Sequence, residues 1–177
     1  MTKSLIALLA TVSMCQLAQA QAQVQDPKGN LIHLVDAHDE PEFYCLDIAG
    51  FGKHLQLNDP LQTHTCKSFE QGTDQKFYFE DQQLKIEGYD RCVQAAGSSD
   101  TTLAGSALLA RECSDGNLQK FSMDDAGKIR LGDGTYCLAA GADSAEASGP
   151  SHVWRTLSVV KCEGADDSLT TWQIGNE

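Results

Sequence analysis

Asp47 stands two residues after Cys45, in the stretch "YCLDIAG" (Tyr44 to Gly50). The frame returns as "RCVQAAG" (Arg91 to Gly97) and "YCLAAG" (Tyr136 to Gly141), but the place held by Asp47 passes to Gln94 and then to Ala139. The position two before the next cysteine varies in the same way, through His64, Arg111 and Val160. A carboxylate accepts hydrogen bonds from two neighbouring hydroxyls, and charged acceptors make the stronger bonds. An amide gives and accepts; a methyl does neither. An imidazole offers a small flat ring and a charge that changes near pH ~6.5. The chemistry on offer is polar recognition. No serine nucleophile elbow, zincin motif or free catalytic cysteine stands in the processed chain. Asp47 and Asp74 form a carboxylate pair suited in principle to glycoside hydrolysis, which turnover of a glycan would reveal. The expectation is a chain that binds, is not an enzyme and needs no cofactor or metal.

The cysteines carry a repeat. They fall at 45 and 66, 92 and 113, and 137 and 162. The repeat selects one connectivity of the fifteen that six cysteines allow: Cys45–Cys66, Cys92–Cys113 and Cys137–Cys162. Before each first cysteine lies a strand-like run: Leu31 to Val35, Leu84 to Gly88 and Lys128 to Gly132. Leu61, Leu108 and Leu157 stand five residues before the second cysteines, and Thr63, Ala110 and Val159 three before them. Alternation along a strand puts these on the inward face, with His64, Arg111 and Val160 facing the other way. Phe77, Phe121 and Trp172 close the repeats and are expected in the core. Turn-rich segments such as "SDGN" and "GDGT" separate the runs, and helical periodicity is absent after the N-terminal segment, so the fold class is all-β. Three units of about 45 residues cannot each bury a core, but together they can close one.

With these features the chain resembles the ricin-type β-trefoil lectins over roughly 30–177. The family's Gln-x-Trp signature reads here Gln75-Lys76-Phe77, Gln119-Lys120-Phe121 and Thr170-Thr171-Trp172, complete in no copy. The resemblance implies a six-stranded barrel capped by three hairpins, with lobes at about 30–80, 81–125 and 126–177. It also implies where a lobe holds sugar: a carboxylate two after the first cysteine, an aromatic two before the second, and an Asn or Asp beside the signature Gln. The first lobe matches with Asp47, His64, Asp74 and Gln75. The second is a weaker candidate with Gln94, Arg111 and Gln119. The third, with Ala139, Val160, Leu169 and Thr170, has lost the chemistry. The frame builds the fold, and the variable position is where a lobe keeps or loses a site. The implied partners are glycans, of the galactose type or related sugars.

The N-terminal stretch 1–20 reads as a secretory signal peptide, with Lys3, the apolar run Leu5 to Met14 and the Ala18-Gln19-Ala20 pattern. Cleavage is expected before Gln21, or before Gln23, which leaves 21–29 as a short lead-in and a secreted or periplasmic protein. Cys15 belongs to that signal, its lipoprotein reading weakened by Met14. Six remaining cysteines with such an address favour disulfides. The formal net charge of −12 argues against nucleic acid and acidic membrane surfaces as partners, and no run is long enough to span a bilayer. The cluster from Ile32 to Glu42, with His33, Asp36, His38, Asp39 and Glu40, lacks any zinc spacing and is expected to be a solvated loop. Trp154 ends the longest insertion, Gly141 to Trp154, as a loop anchor or as a contact surface for a protein. Phe51 is a rival platform to His64. A non-catalytic protein-binding trefoil that has lost sugar binding is the alternative function.

Overall fold

The computed structural model describes residues 28–149 and 151–175. The expected signal peptide, with Cys15, lies outside the described residues. Twelve antiparallel strands form the first lobe, β1 (Asn30–Leu34), β2 (Tyr44–Asp47), β3 (Gln62–Thr65) and β4 (Lys76–Glu80); the second, β5 (Gln83–Ile86), β6 (Arg91–Ala95), β7 (Leu108–Arg111) and β8 (Phe121–Met123); and the third, β9 (Ile129–Leu131), β10 (Tyr136–Glu146), β11 (Val153–Lys161) and β12 (Trp172–Ile174). One short helix, α1 (Asp167–Thr170), precedes β12 and is started by the Asp166 side chain, which accepts from the Ser168 amide.

The three lobes close one barrel. β1 pairs with both β4 and β12. The equivalent seams are marked by Phe121 N donating to Gln82 O at 2.8 Å and Trp172 N donating to Gly127 O at 2.8 Å. Phe77, Phe121 and Trp172 are each 1% exposed, packed with Ile32, Leu84 and Ile129 from the strands that open the lobes. Leu61, Thr63, Leu108, Ala110, Leu157 and Val159 are buried, while His64, Arg111 and Val160 face outward, as the alternation requires. This is a β-trefoil. Its disulfides are Cys45–Cys66, Cys92–Cys113 and Cys137–Cys162, each with its Cα atoms 5.0 Å apart. Loops of this length are worth about 3 kcal/mol each in the chain-entropy model.

The glycine that ends the repeated frame has a structural cause. A Cβ on Gly50 would meet His54 O at 2.3 Å, and one on Gly97 would meet Thr101 O at 2.2 Å. The chain turns back on itself there, and only glycine leaves room.

Three hairpins cap the barrel: β2–β3, β6–β7 and β10–β11. They touch one another through equivalent bridges, Pro60 with Leu109 and Ala107 with Ser158. At the third seam the contact is longer. β11 pairs with β3 through Thr156 with Gln62, Arg155 with Thr63 and Trp154 with His64. The segment expected as an insertion loop is therefore mostly strand: β10 runs eleven residues and β11 nine.

That hairpin is fastened to the first lobe by the cluster expected to be a solvated loop. Asp39 accepts from Tyr44 Oη at 2.9 Å and from Ser144 Oγ and Arg155 Nη2. Glu40 is buried and accepts from Thr65 Oγ1 at 2.8 Å, and that hydroxyl accepts from the Val153 amide at 2.9 Å. Asp36, His38 and Asp39 are exposed, as a solvated loop would have them, while Asp39 and the buried Glu40 also act as struts to Tyr44, Thr65 and Arg155.

Candidate functional site

Asp47 ends β2 directly across from Gln62 on β3, and Gln62 Nε2 donates to Asp47 Oδ2 at 2.9 Å. The loop after β3 returns beside it, and the Ile48 amide donates to Asp74 O at 3.1 Å. Both carboxyl groups are therefore in one place, and both side chains are almost fully buried. Lys67, the residue after Cys66, reaches between them. Its Nζ lies 3.4 Å from Asp47 Oδ1 and donates to Asp74 Oδ2. Burial pushes the Asp47 carboxyl up to about 7, opposed by the Lys67 charge and the Gln62 donor and assisted by Asp74.

Gln75 turns away from solvent. Its Oε1 accepts from the Lys67 amide at 2.8 Å, and its Nε2 donates to Thr65 O at 3.1 Å. Gln119 does the same in the second lobe, accepting from the Ser114 amide and donating to Glu112 O, each at 2.8 Å. The signature glutamine is thus a clamp on the residues either side of the second cysteine. In the first lobe that clamp fixes the backbone of Lys67.

His64 lies on the outer face of β3. Thr65 O is 3.0 Å from its Nδ1, which fixes that nitrogen as the donor. Its ring meets His152 edge-on, with centroids 5.3 Å apart. Burial, Lys67 and His152 push its imidazole below the ordinary value, against the bond to Thr65. His64 is half-buried beside His152.

Above Lys67 opens a groove of about 1090 Å³. It is lined by Phe51 and His54 from the loop after β2, by Gln62 and His64 of β3 with Lys67, and by His152 and Trp154 of the third lobe. Phe51 is 67% exposed, and its ring centroid is 5.7 Å from Lys67 Nζ. Asp47, His64 and Asp74 are thus brought together, with Gln75 directly behind them. Lys67, Gln62 and His152 were not singled out from the sequence. The repeat offers Ser114 and Glu163 in the place of Lys67, so comparison among lobes gave no signal for it.

In the second lobe Gln94 Oε1 accepts from Gln119 Nε2 at 2.9 Å, and Arg111 Nη1 donates to Ala110 O at 2.9 Å. The pair Gln94 and Gln119 is together, with Gln94 Oε1 and the Gln119 amide engaged within the pair and with the backbone. Arg111 stands apart on β7, opposite Cys92. Among the described residues no group of three or more His, Cys, Asp or Glu is placed to hold a metal ion, and no helix is long and apolar enough to cross a membrane.

Comparison with known proteins agrees with this architecture. The model of the ricin-type beta-trefoil lectin domain matches residues 33–156. Similar solved structures include an agglutinin from Abrus precatorius (17% identity, TM-score 0.61), matched over 89% of this chain and 52% of that one. The chain thus spans about half the length of that agglutinin. The β-trefoil lectin of the Vibrio vulnificus hemolysin/cytolysin, solved with N-acetyl-D-lactosamine bound, is 16% identical with a TM-score of 0.57, over 85% of this chain and 96% of that one. The C-half of an earthworm R-type lectin, solved with GalNAc, is 14% identical with a TM-score of 0.59, over 85% of this chain and all of that one. No curated protein matches at a significant level. With the domain model covering well over half of its residues, the chain belongs to the ricin-type β-trefoil lectin domain family.

Proposed function

We propose that the protein is a secreted, non-catalytic carbohydrate-binding module whose main sugar site is in the first lobe. One observation carries the reading: Asp47 and Asp74 hold the Lys67 ammonium at the base of a groove walled by rings. An ammonium has three N–H donors, and two carboxylates leave one for a sugar oxygen. Gln62 adds an amide, and His64 and Phe51 offer flat apolar faces to sugar C–H groups. In this reading Asp47 and Asp74 orient Lys67, and Gln75 sets its backbone. Buried carboxylates that share one cation are poorly placed to act as the acid and base of glycoside cleavage.

Export rests on the expected leader, and the three disulfides suit an oxidising compartment. The sugars bound to the Vibrio and earthworm lectins make galactose-type glycans the first ligands to test. One open site would hold a simple sugar at about millimolar affinity, near −4 kcal/mol. Clustered glycans would add avidity.

The near-complete burial of Asp47 and the half-buried Trp154 on the groove wall favour one rival, a trefoil that binds a protein. A glycan array at neutral pH with the oxidised, processed protein decides between them, with Asp47→Ala alongside and folding checked by circular dichroism. Signals lost in the variant support the first-lobe sugar site. Signals that survive move the site elsewhere. Silence from the folded wild type favours the protein-binding reading.

A further inference from the structure

The groove belongs to two lobes. Its lining includes Phe51, Gln62, His64 and Lys67 from the first lobe and His152 and Trp154 from the third. The threefold pattern alone does not create it. At the seams between the first and second and between the second and third lobes, the hairpins meet in single bridges. At the remaining seam β10 and β11 run on beyond the length of their counterparts, and the added pairs bring Trp154 opposite His64. Paired residues of an antiparallel ladder project to the same side of the sheet. Trp154 therefore stands beside His64, facing the groove above Lys67, and it is only half-buried.

We infer that this groove takes a neutral oligosaccharide segment of at least two sugar rings, gripped between the first and third lobes, with Trp154 of the lengthened hairpin as its stacking platform. The inference rests on the first-lobe sugar reading above and adds to it the ligand's length and a residue from outside that lobe. Four observations support it. The groove, at about 1090 Å³, is slightly above the roughly 300–1,000 Å³ of small-ligand pockets, more than one ring bound at Lys67 would fill. Lys67 and Gln62 belong to the first lobe and Trp154 to the third-lobe hairpin, so one ring can bond Lys67 and Gln62 while the next lies on Trp154. The wall is also held in place. Arg155, next to Trp154, is 4% exposed, donates to Gly141 O and Ala142 O, pairs with Asp39 and lies 4.7 Å from the Tyr44 ring centroid. A platform fixed in this way loses little freedom when a ligand stacks on it. The charge also fits a neutral sugar: Asp47 and Asp74 offset Lys67, and Glu146 lies on the rim.

Tryptophan emission tests this on the unmodified protein. The chain has two tryptophans, and Trp172 is 1% exposed, so acrylamide reaches mainly Trp154. The probes are galactose, GalNAc, N-acetyllactosamine and its dimer. The expected result is binding of the longer probes at least tenfold tighter than the better monosaccharide, with Trp154 protected from quenching. Trp154→Ala should lose that gain, so that its affinities for one ring and for several converge; Trp154→Phe should keep part of it and serves if the alanine variant folds poorly. Equal affinity for one ring and for several overturns the inference, as does a folded Trp154→Ala that binds like wild type. If Asp47→Ala abolishes binding while Trp154→Ala does not alter it, the first-lobe reading stands and this one falls. If the wild type binds none of the probes but captures a protein, both fall.

Discussion

Lys67 Nζ lies 3.4 Å from Oδ1 of Asp47, with the lysine side chain 12% and the carboxylate side chain 1% exposed. The same ammonium serves Asp74, whose Oδ1 has no hydrogen-bond partner. Taking away one partner of a buried pair strands the other, at a cost of about 3–5 kcal/mol. Lys67→Met strands two carboxylates. At pH 8 the variant should lose stability by about that much, and by less at pH 5, where the Asp47 carboxyl, raised by burial, can protonate. Urea unfolding at the two pH values checks it; a variant as stable as wild type at both would mean that Lys67 is not holding the pair.

Asp47 should also set a stability slope. Burial raises its folded pKa to about 7, whereas an unfolded Asp titrates near ~3.9. The folded state thus keeps a proton that the unfolded state has released. The stabilising contribution is complete below about pH 4 and is lost as pH rises through about 7, with a slope of up to ~1.4 kcal/mol per pH unit for one proton. Asp47→Asn removes the titration. The stability difference between variant and wild type should move toward the variant from pH 4.5 to 8. Parallel profiles across that range would contradict the assignment.

The same group should govern ligand affinity near neutrality. An imidazole ordinarily changes charge near pH ~6.5, but burial pushes that of His64 lower. Asp47 gains its charge as pH rises through about 7, and its grip on Lys67 strengthens. Glycan affinity should therefore rise several-fold between pH 6 and 8 in wild type and in His64→Gln, and stay flat in Asp47→Asn. A rise that vanishes in His64→Gln instead would return the titration to the histidine.

Much of the fold was legible because it is written three times. The cysteine pairs, the leucine five places before each second cysteine and the closing aromatic all answer to one constraint, the shared core, and the lobes average out local deviations. The first-lobe cluster was legible in part, since Asp47, His64 and Asp74 occupy repeat positions. Lys67 was not, because its role needs two carboxylates that only tertiary folding brings together, and its counterparts Ser114 and Glu163 share none of it. The long hairpin was hidden for a similar reason. "GADSAEASGPSHVW" is rich in small and turn-forming residues and reads as loop. Its strands form because β3 offers an edge and Arg155 finds acceptors across the lobe boundary.

That last dependence yields a separable prediction. Arg155 Nη1 donates to Gly141 O at 2.9 Å and to Ala142 O, and Nη2 pairs with Asp39. The bonds from Ser144 and Arg155 hold the Asp39 carboxyl well below the usual carboxylate range. Arg155→Met removes the guanidinium that lies over Tyr44 and leaves two carbonyls unpaired, at a cost of about 2–3 kcal/mol. Asp39 is half-exposed and can be solvated, so the loss should concentrate in the hairpin rather than spread through the barrel. Native-state hydrogen exchange should show faster exchange at Val153, whose amide bonds Thr65 Oγ1, and at the β11 amides facing β3. Amides in the β4–β5 ladder should keep their protection. Because Trp154 is carried on the same strand, the variant should also lose affinity for the longer glycans while binding single sugars as before. Uniform loss of protection across both regions would show that the hairpin and barrel unfold as one unit, and that the third-lobe wall is not independently fastened.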